Sequence, residues 1–244
     1  MSFYRELAPS RDLHALVACR WERVAPRDAV LTTLVLPDGC IDLIWRGGEV
    51  HLAGPDRGAN PTLAQGGEKI RGLRLRPGVA GAVLGMPTSE VLNARLPLED
   101  VLGREAGELS ERIGLTDGEA AFELLEALVV SRIRETEPDP FVLAATRRLG
   151  FPGSRLEWLA DALGISDRQL RRRFHAAVGY GPKTLDRVLR FQRFVSQAPA
   201  VASGEIDLAR LAADLGYADQ SHLTRECVRL SGMTPRRLAV RWAL

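Results

Sequence analysis

A short pattern occurs twice in the last hundred residues of this 244-residue chain. Residues 159–166 have the sequence LADALGIS, and residues 211–218, 52 positions later, have the sequence LAADLGYA. Each copy is followed by a stretch with helical spacing of apolar residues and then by a Gly-x-x-Pro element, at Gly179 and at Gly232. A helix, a turn containing Gly and a basic second helix form the helix-turn-helix plan for contacting the major groove of DNA. The repeat therefore predicts two such units in tandem.

The charge of the chain is divided unevenly. From Pro140 to the end there are 17 Lys and Arg against 9 Asp and Glu, whereas the first 139 residues hold 16 against 22. A basic half joined to an acidic half suggests that nucleic-acid contact is confined to one domain. The acidic segment 135–140 (ETEPDP) is the expected boundary. We predict a domain over residues 1–138 and a DNA-binding domain over 139–244.

Several classes of protein are disfavoured by what the sequence lacks. Cys19, Cys40 and Cys227 are widely spaced and form no C-x-x-C pair, which argues against a disulfide framework or a zinc site. His14 and His51 have no third ligand nearby, so we expect neither a metal nor a cofactor. The N-terminus does not resemble a signal peptide, and no stretch approaches the roughly 20 apolar residues that span a bilayer. We expect a cytoplasmic protein that does not contact a membrane.

The first half has the pattern of short strands separated by turns. Residues 30–36 and 40–45 are apolar runs on either side of Pro37-Asp38-Gly39, which predicts a hairpin. Residues 50–53 and 68–76 predict two further strands. Together these indicate a β-rich domain, either a small barrel or a sandwich. The expected fold class is α+β, with this domain and its following helices in front of an all-α domain.

The pattern becomes helical after residue 78. Short helices are predicted at 87–90 and 97–100, and Thr116 with Glu119 has the spacing of a capping box. The helix that follows carries Phe122, Leu125, Leu128 and Val129 on one face. This face either packs on the sheet of its own chain or forms the seam of a homodimer.

The C-terminal half, from about Pro140 to Trp242, resembles the DNA-binding domain of the AraC/XylS family of transcription regulators. The matching residues of the first unit are Leu159-Ala160, Leu163-Gly164-Ile165-Ser166, Leu170, Phe174 and Gly179-x-x-Pro182. Those of the second unit are Ile206, Leu211-Ala212, Leu215-Gly216-Tyr217, Asp219-Gln220-Ser221, Leu223 and Gly232-Met233-Thr234-Pro235. The resemblance implies seven helices, with a linker helix over residues 182–197 between the units. Cys227 departs from the family, which more often has an aromatic residue there, and this puts the packing of the second unit in question.

The first half resembles, less closely, a little-characterised sensor type found in front of such domains. The similar strings are Leu36-Pro37-Asp38-Gly39-Cys40-Ile41-Asp42 and Arg74-Leu75-Arg76-Pro77-Gly78. This resemblance implies either that the domain binds a small-molecule effector or that it mediates dimerisation. For the whole chain it implies a transcription regulator, either an activator or a repressor, that acts on double-stranded DNA. If the protein activates transcription, RNA polymerase is a further expected partner.

The helical spacing predicts which side chains face DNA. Leu170 and Phe174 define the buried face of the first recognition helix, 167–178, and Leu223 and Cys227 that of the second, 219–231. The residues left outward are base-reading or phosphate-binding types. The candidates on the first helix are Arg168, Gln169, Arg171, Arg172 and Arg173, and those on the second are Gln220, Ser221, Thr224 and Arg225. Lys183, Arg236 and Arg237 begin the next helices, where they either bind phosphate or are plain surface charges.

An effector pocket in the first half would take its specificity from a few polar side chains beside apolar walls. The candidates are Asp42, Trp45, Arg74 and Arg76, which lie on the most strand-like segments. Cys40 is either an oxidant sensor or, more often for such a position, a small buried residue.

Two alternatives to an effector-controlled regulator stay open. One is an enzyme tethered to nucleic acid by its tandem helices, and the other is a constitutive DNA-binding protein whose first half only dimerises. Because no clustered acid, base or nucleophile is present, we expect no enzymatic activity.

Overall fold

The computed structural model describes residues 3–116, 118–151 and 159–242. Eight strands precede or accompany the first helices: β1 Phe3–Leu7, β2 Val17–Val24, β3 Leu31–Val35, β4 Ile41–Arg46, β5 Glu49–Ala53, β6 Asn60–Ala64, β7 Lys69–Leu75 and β8 Arg95–Pro97. Six of them form one antiparallel sheet in the order β1-β2-β7-β4-β5-β8, and β3 pairs only with β6. The predicted α+β class is confirmed. The described strands form open sheets and not a closed barrel.

The two faces of the large sheet have different partners because side chains alternate along each strand. Leu43, Leu73 and Leu75 lie on one face and are completely buried against the helices that follow. Trp21 and Ile70 lie on the other face, in a smaller apolar cluster that includes Ala64 of β6. The β3–β6 ladder therefore covers the face of the sheet that the helices leave free.

The predicted hairpin between residues 30–36 and 40–45 is wrong. Strand β3 pairs with β6, from Leu31 opposite Ala64 to Val35 opposite Asn60, whereas β4 pairs with β5 and β7. Both apolar runs are strands, but the turn between them carries the chain from the small ladder to the large sheet. Strands β5 and β7 were predicted. Strands β1, β2, β6 and β8 were not.

The helices of the first half close one face of the large sheet. They are α1 Ala80–Leu84, α2 Glu99–Leu102, α3 Arg104–Gly114 and α4 Gly118–Glu135, with a 3₁₀ turn over Thr88–Val91. The α4 face that carries Leu125, Leu128 and Val129 packs into the core beneath the sheet, so this face is not a dimer seam. The predicted capping box at its start includes Asp117, which lies outside the described residues. The Thr116 hydroxyl donates to the Ile113 carbonyl at 2.9 Å.

The rest of the described chain is helical. Its elements are α5 Pro140–Leu149, α6 Leu159–Ala162, α7 Asp167–Val178, α8 Pro182–Ser196, α9 Ala198–Ala202, α10 Leu208–Asp214, α11 Gln220–Ser231 and α12 Pro235–Trp242. Helices α7 and α11 are the two predicted recognition helices, and α8 is the predicted linker helix. The short α9 makes eight helical segments among the described residues, where the resemblance implied seven. The domain boundary at 138/139 stays a prediction, and we refer to the residues before and after it as the N-terminal and C-terminal parts.

Candidate DNA interface and effector cavity

The first unit is built by local signals that fix where α7 begins and ends. Gly164 adopts a φ of +65° in the turn after α6, a conformation that favours glycine. Ser166 then caps α7: its hydroxyl accepts from the Gln169 amide, and the Gln169 side chain accepts from the Ser166 amide at 3.0 Å. Leu170, Phe174 and Val178 bury one side of α7 in the apolar cluster of this unit. The orientation of the opposite side is thereby fixed.

The predicted DNA-facing residues of α7 fall into two groups. Arg168, Arg171 and Arg172 are exposed near the start of the helix, the part of a recognition helix that reaches base edges. Arg173 is half-buried: it forms an ion pair with Asp139 at 2.8 Å and lies over the Phe141 ring at 4.5 Å. Asp139 also caps α5, so Arg173 ties α7 to that helix. Gln169 is exposed and holds the capping box.

The second unit repeats this construction. Asp207 caps α10, Gly216 provides the turn with a φ of +76°, and Asp219 caps α11 by accepting from the His222 amide at 2.6 Å. Gln220, Ser221 and Arg225 are exposed along the first turns of α11. The remaining candidate, Thr224, is half-buried and donates its hydroxyl to the Gln220 carbonyl at 2.9 Å.

Cys227 occupies the core position of α11 without leaving the second unit unpacked. It is completely buried beside Leu211 and Leu223 in the apolar cluster of this unit. The Ser231 hydroxyl, one turn later, donates to the Cys227 carbonyl at 2.6 Å. Burial raises the pKa of the Cys227 thiol to about 11, so it is a neutral core group at physiological pH.

Helix α8 joins the two units and packs on both. Leu185 belongs to the cluster of the first unit, and Val188 and Phe191 belong to that of the second. Arg187 of α8 binds Glu226 of α11 through two contacts, of 2.6 and 3.0 Å. The predicted phosphate ligands Lys183, Arg236 and Arg237 are exposed in the first turns of α8 and α12.

A cavity of about 100 Å³ lies between the large sheet and the β3–β6 ladder. Its floor is the sheet face that carries Trp21, Ile44 and Ile70, and its roof is formed by β3 and β6. The sheet face accommodates the Trp21 indole because residue 72 is glycine: a Cβ there would lie 2.2 Å from the indole. The full lining is Tyr4, Trp21, Arg23, Thr33, Val35, Leu36, Asp38, Cys40, Asp42, Ile44, Arg46, Ala53, Gly54, Asp56, Thr62, Leu63, Ala64, Ile70, Arg74 and Arg95.

The structure brings two of the four predicted effector residues together in this cavity. Asp42 and Arg74 face each other on neighbouring strands and form an ion pair at 3.1 Å. Arg74 also approaches Asp38 at 3.5 Å. Burial alone would lower the pKa of Arg74, but the two carboxylates outweigh it and raise it. Burial raises the pKa of Asp38, although Arg74 opposes that shift.

The other two predicted effector residues do not line the cavity. Trp45 alternates with Ile44 and packs against the core on the opposite face of the sheet. Arg76 lies just beyond the end of β7, is exposed, and donates to the His14 carbonyl at 3.0 Å. Cys40 does line the cavity, but burial and then the Asp38 carboxylate raise the pKa of its thiol. A protonated thiol is a poor oxidant sensor, which favours the structural interpretation of Cys40.

Two of the loops that line the cavity also contact the C-terminal part. In the loop of residues 36–40, the Pro37 carbonyl accepts from Gln192 at 2.7 Å, and a Cβ on Gly39 would lie 2.7 Å from Leu185. In the loop of residues 53–56, Pro55 packs on Gly179, where a Cβ would lie 2.8 Å from the ring. Both loops therefore rest on the region where α7 meets α8.

A third contact reaches the recognition helix itself. Thr88, in the 3₁₀ turn, is completely buried, and its hydroxyl donates to the Ala176 carbonyl of α7 at 3.0 Å. The Arg-bearing first turns of α7 remain exposed. The N-terminal part thus holds the end of α7 and leaves its start open.

Sequence reasoning missed several residues of the cavity. Trp21 and Arg23 lie on β2, which no pattern predicted, and the β3–β6 roof depends on a pairing across 25 residues. The apolar–polar alternation of residues 19–22 (CRWE) is the pattern that could have indicated β2. Within the described ranges no group of three His, Cys, Asp or Glu side chains could hold a metal ion. None of the described helices is long and apolar enough to cross a membrane.

Two family models match this chain. Residues 159–241 match a helix-turn-helix domain, and residues 5–97 match a domain of unknown function (DUF6597). The first match spans α6 to α12, the two units described above. The C-terminal part is an AraC-type helix-turn-helix domain. This match covers residues 159–241, about a third of the chain.

A curated relative of this AraC-type domain is the HTH-type transcriptional regulator VirS of Mycobacterium tuberculosis, in strains H37Rv and CDC 1551. It is 38% identical over 96 residues, which cover 39% of this chain and 27% of VirS. Among solved structures, ToxT of Vibrio cholerae O395 is 10% identical over 98% of this chain and 96% of that chain, with a TM-score of 0.43. Unsaturated fatty acid-bound ToxT of strain SCE256 is 12% identical over 98% and 94%, with a TM-score of 0.36. TM-scores this low imply neither a shared fold nor a shared ligand.

Proposed function

We propose that this protein is a sequence-specific regulator of transcription whose two helix-turn-helix units bind neighbouring segments of one DNA site. The observation that carries this proposal is the matched geometry of α7 and α11. Each is fixed on its inner side by fully buried residues, and each exposes an Arg in its second turn, at Arg172 and Arg225. Arg bonds guanine bidentately in the major groove, which is worth about 1–3 kcal/mol of discrimination per good pair. Contact with RNA polymerase and homodimer formation remain predictions.

Selection of binding sites from random duplexes by the full-length protein tests this function. The selected sequence should bind about 10³-fold or more tightly than a scrambled duplex at physiological salt. The variant Arg172→Ala should bind the selected site more weakly, whereas Arg210→Ala removes an equally exposed cation from the supporting helix α10 and should have little effect. Equal affinity for selected and scrambled duplexes would refute the proposal.

We propose further that a small molecule in the cavity controls this DNA binding. The support is the double role of the loops 36–40 and 53–56, which line the cavity on one side and rest on the region where α7 meets α8 on the other. A ligand can shift the arrangement of the units only if it binds one arrangement better than another. The loops 36–40 and 53–56 provide that differential contact because they belong both to the cavity lining and to the contact with the C-terminal part.

A metabolite panel screened by the melting temperature of the full-length protein tests this control. A compound that raises the melting temperature should also change the affinity for the selected DNA site. Arg74→Ala should abolish that change, and Arg76→Ala, one position beyond the sheet and outside the cavity, should preserve it. DNA affinity that ignores every stabilising compound would favour a constitutive DNA-binding protein.

A further inference from the structure

Most charged groups around the cavity already have partners. Arg74 binds Asp42. Arg46 binds Glu68 through both carboxylate oxygens, at 3.1 Å each. Arg95 binds Asp56, which is itself buried. Each of these three arginines is thus already paired with a carboxylate.

Arg23 is different: among the residues that the structure describes, no carboxylate pairs with it. Its guanidinium lies over the Tyr4 ring at 5.1 Å. The Tyr4 hydroxyl donates to Glu6 at 2.6 Å, and burial raises the pKa of Tyr4, so the ring supplies no counter-charge. Burial likewise lowers the pKa of Arg23, as expected for a cation that has lost water without gaining an anion. With one face on an aromatic ring, a guanidinium keeps its N–H edge for a planar acceptor.

The surroundings of Arg23 favour an anion at this end of the cavity. Arg23 is paired in register with Ile70, while the carboxylates of Asp38 and Asp42 lie around Arg74. Arg74 and Ile70 are four residues apart on β7, a separation of about 13 Å at the usual rise of a strand. The backbone positions of Arg23 and Asp42 are therefore well separated along the sheet. The Glu6 carboxylate, which accepts from the Tyr4 hydroxyl at 2.6 Å, is itself paired with Arg74 at 3.3 Å.

The size of the cavity limits the rest of the ligand. Its volume of about 100 Å³ is well below the roughly 300–1,000 Å³ of sites for drug-sized molecules. The surface between the two charged ends is apolar and comes from Trp21, Ile44 and Ile70 below and from Val35 above. This space fits a short hydrocarbon group and excludes a long chain.

We propose that the cavity binds a small monocarboxylate, with the carboxylate on the Arg23 guanidinium and a short hydrocarbon group against Trp21 and Ile70. The inference rests on the proposed function in taking this cavity as the effector site. It adds the chemical class of the effector and the residue that selects it. A bidentate Arg–carboxylate contact provides both the charge and the planar geometry for that selection.

The probes are the sodium salts of straight-chain acids from acetate to octanoate, the amides of the same chains, and inorganic phosphate and sulfate. Binding to the full-length protein is measured by calorimetry and by the melting temperature. Acids of about three to five carbons should bind and raise the melting temperature. The amides should bind at least about tenfold more weakly because they lack the charge, and so should phosphate and sulfate, which lack the hydrocarbon group.

Three variants assign the contact to Arg23. Arg23→Gln should weaken binding by at least about tenfold, and Arg23→Lys should retain part of it because the charge remains. Arg5→Gln, on the neighbouring strand β1 and outside the cavity, is the matched control and should bind within about twofold of the native protein. Circular dichroism of each variant identifies any that has not folded.

Three results would overturn the proposal: no acid in the series binds, the amides bind as tightly as the acids, or a folded Arg23→Gln protein binds the acids undiminished. Binding through Arg23 with no effect on DNA affinity would support this ligand class and contradict the proposed control. If the native protein showed no sequence-specific DNA binding, the proposed function would be contradicted, but the proposed ligand site would not. The two failures are therefore distinguishable.

Discussion

Replacing Gly179 with alanine should destabilise this protein more than the same change at Gly232. Both glycines end a recognition helix in the left-handed region, with φ of +90° at Gly179 and +73° at Gly232. They differ in their surroundings. A Cβ on Gly179 would lie 2.8 Å from the Pro55 ring and 3.1 Å from the Thr88 carbonyl oxygen, whereas a Cβ on Gly232 would meet no atom within 4 Å.

The expected loss of unfolding free energy follows from two costs, that of the left-handed backbone conformation and that of the crowded surroundings. The left-handed conformation costs an alanine about 1–2 kcal/mol at either position. Only at Gly179 must the Pro55 and Thr88 segments also move, and forcing an extra methyl into a packed site typically costs about 1–3 kcal/mol. Gly232→Ala should therefore lose about 1–2 kcal/mol of unfolding free energy. Gly179→Ala should lose about 2–5 kcal/mol.

Thermal unfolding of the two full-length variants measures the difference. For a chain of this length, 1 kcal/mol corresponds to about 2–4 °C, so Gly179→Ala should melt about 2–12 °C below Gly232→Ala. Equal melting temperatures would refute the argument, since they would mean that the N-terminal part does not press on the end of α7.

The remaining predictions concern the DNA-binding face and the cysteines. Arg172→Ala and Arg225→Ala should each relax base preference at one position, in different segments of the site, and unchanged preferences in binding-site selection would contradict the assignment. Leu211→Asp should abolish recognition by the second unit, because Leu211 is buried beside Leu223 and an unpaired carboxylate there is costly; full-strength binding by this variant would refute that packing. Affinity for the selected site should fall steeply with salt as counterions are released, and a flat salt titration would argue against phosphate contacts. Peroxide should leave DNA affinity unchanged near pH 7, because burial keeps the Cys40 thiol protonated; inhibition that Cys40→Ser prevents would contradict this.

The recognition helices could be predicted to within one residue at each end because their signals are local. The caps at Ser166 and Asp219, the turns at Gly164 and Gly216, and the apolar spacing all act within one or two turns of chain. The roles of individual side chains were harder to predict. Arg173 has the same residue type as Arg172, but it is held by Asp139, the cap of α5, which lies 34 residues earlier and which sequence spacing could not place beside it.

The cavity could be predicted only in part because strand pairing is not local. Asp42 and Arg74 were predicted, and they meet because β4 and β7 pair in the large sheet. Trp45 was assigned to the wrong face because its strand was recognised without its register: odd-numbered residues of β4 face the helices. Arg23 was not predicted because β2, the strand that carries it, was not predicted. The turn at 37–39, an ordinary hairpin signal in the sequence, instead packs against the C-terminal part.

The two-sided packing of α8 has a consequence for the spacing of the DNA site. Because Leu185 is buried in the first unit and Phe191 in the second, and because Arg187 holds α11, the helix sets a fixed distance and angle between the units. DNA turns once in about 10–10.5 base pairs, so one inserted base pair rotates one segment by about 35° relative to the other. A helix buried on both sides cannot follow that rotation. The interval between the two segments should therefore be as invariant as the bases within them.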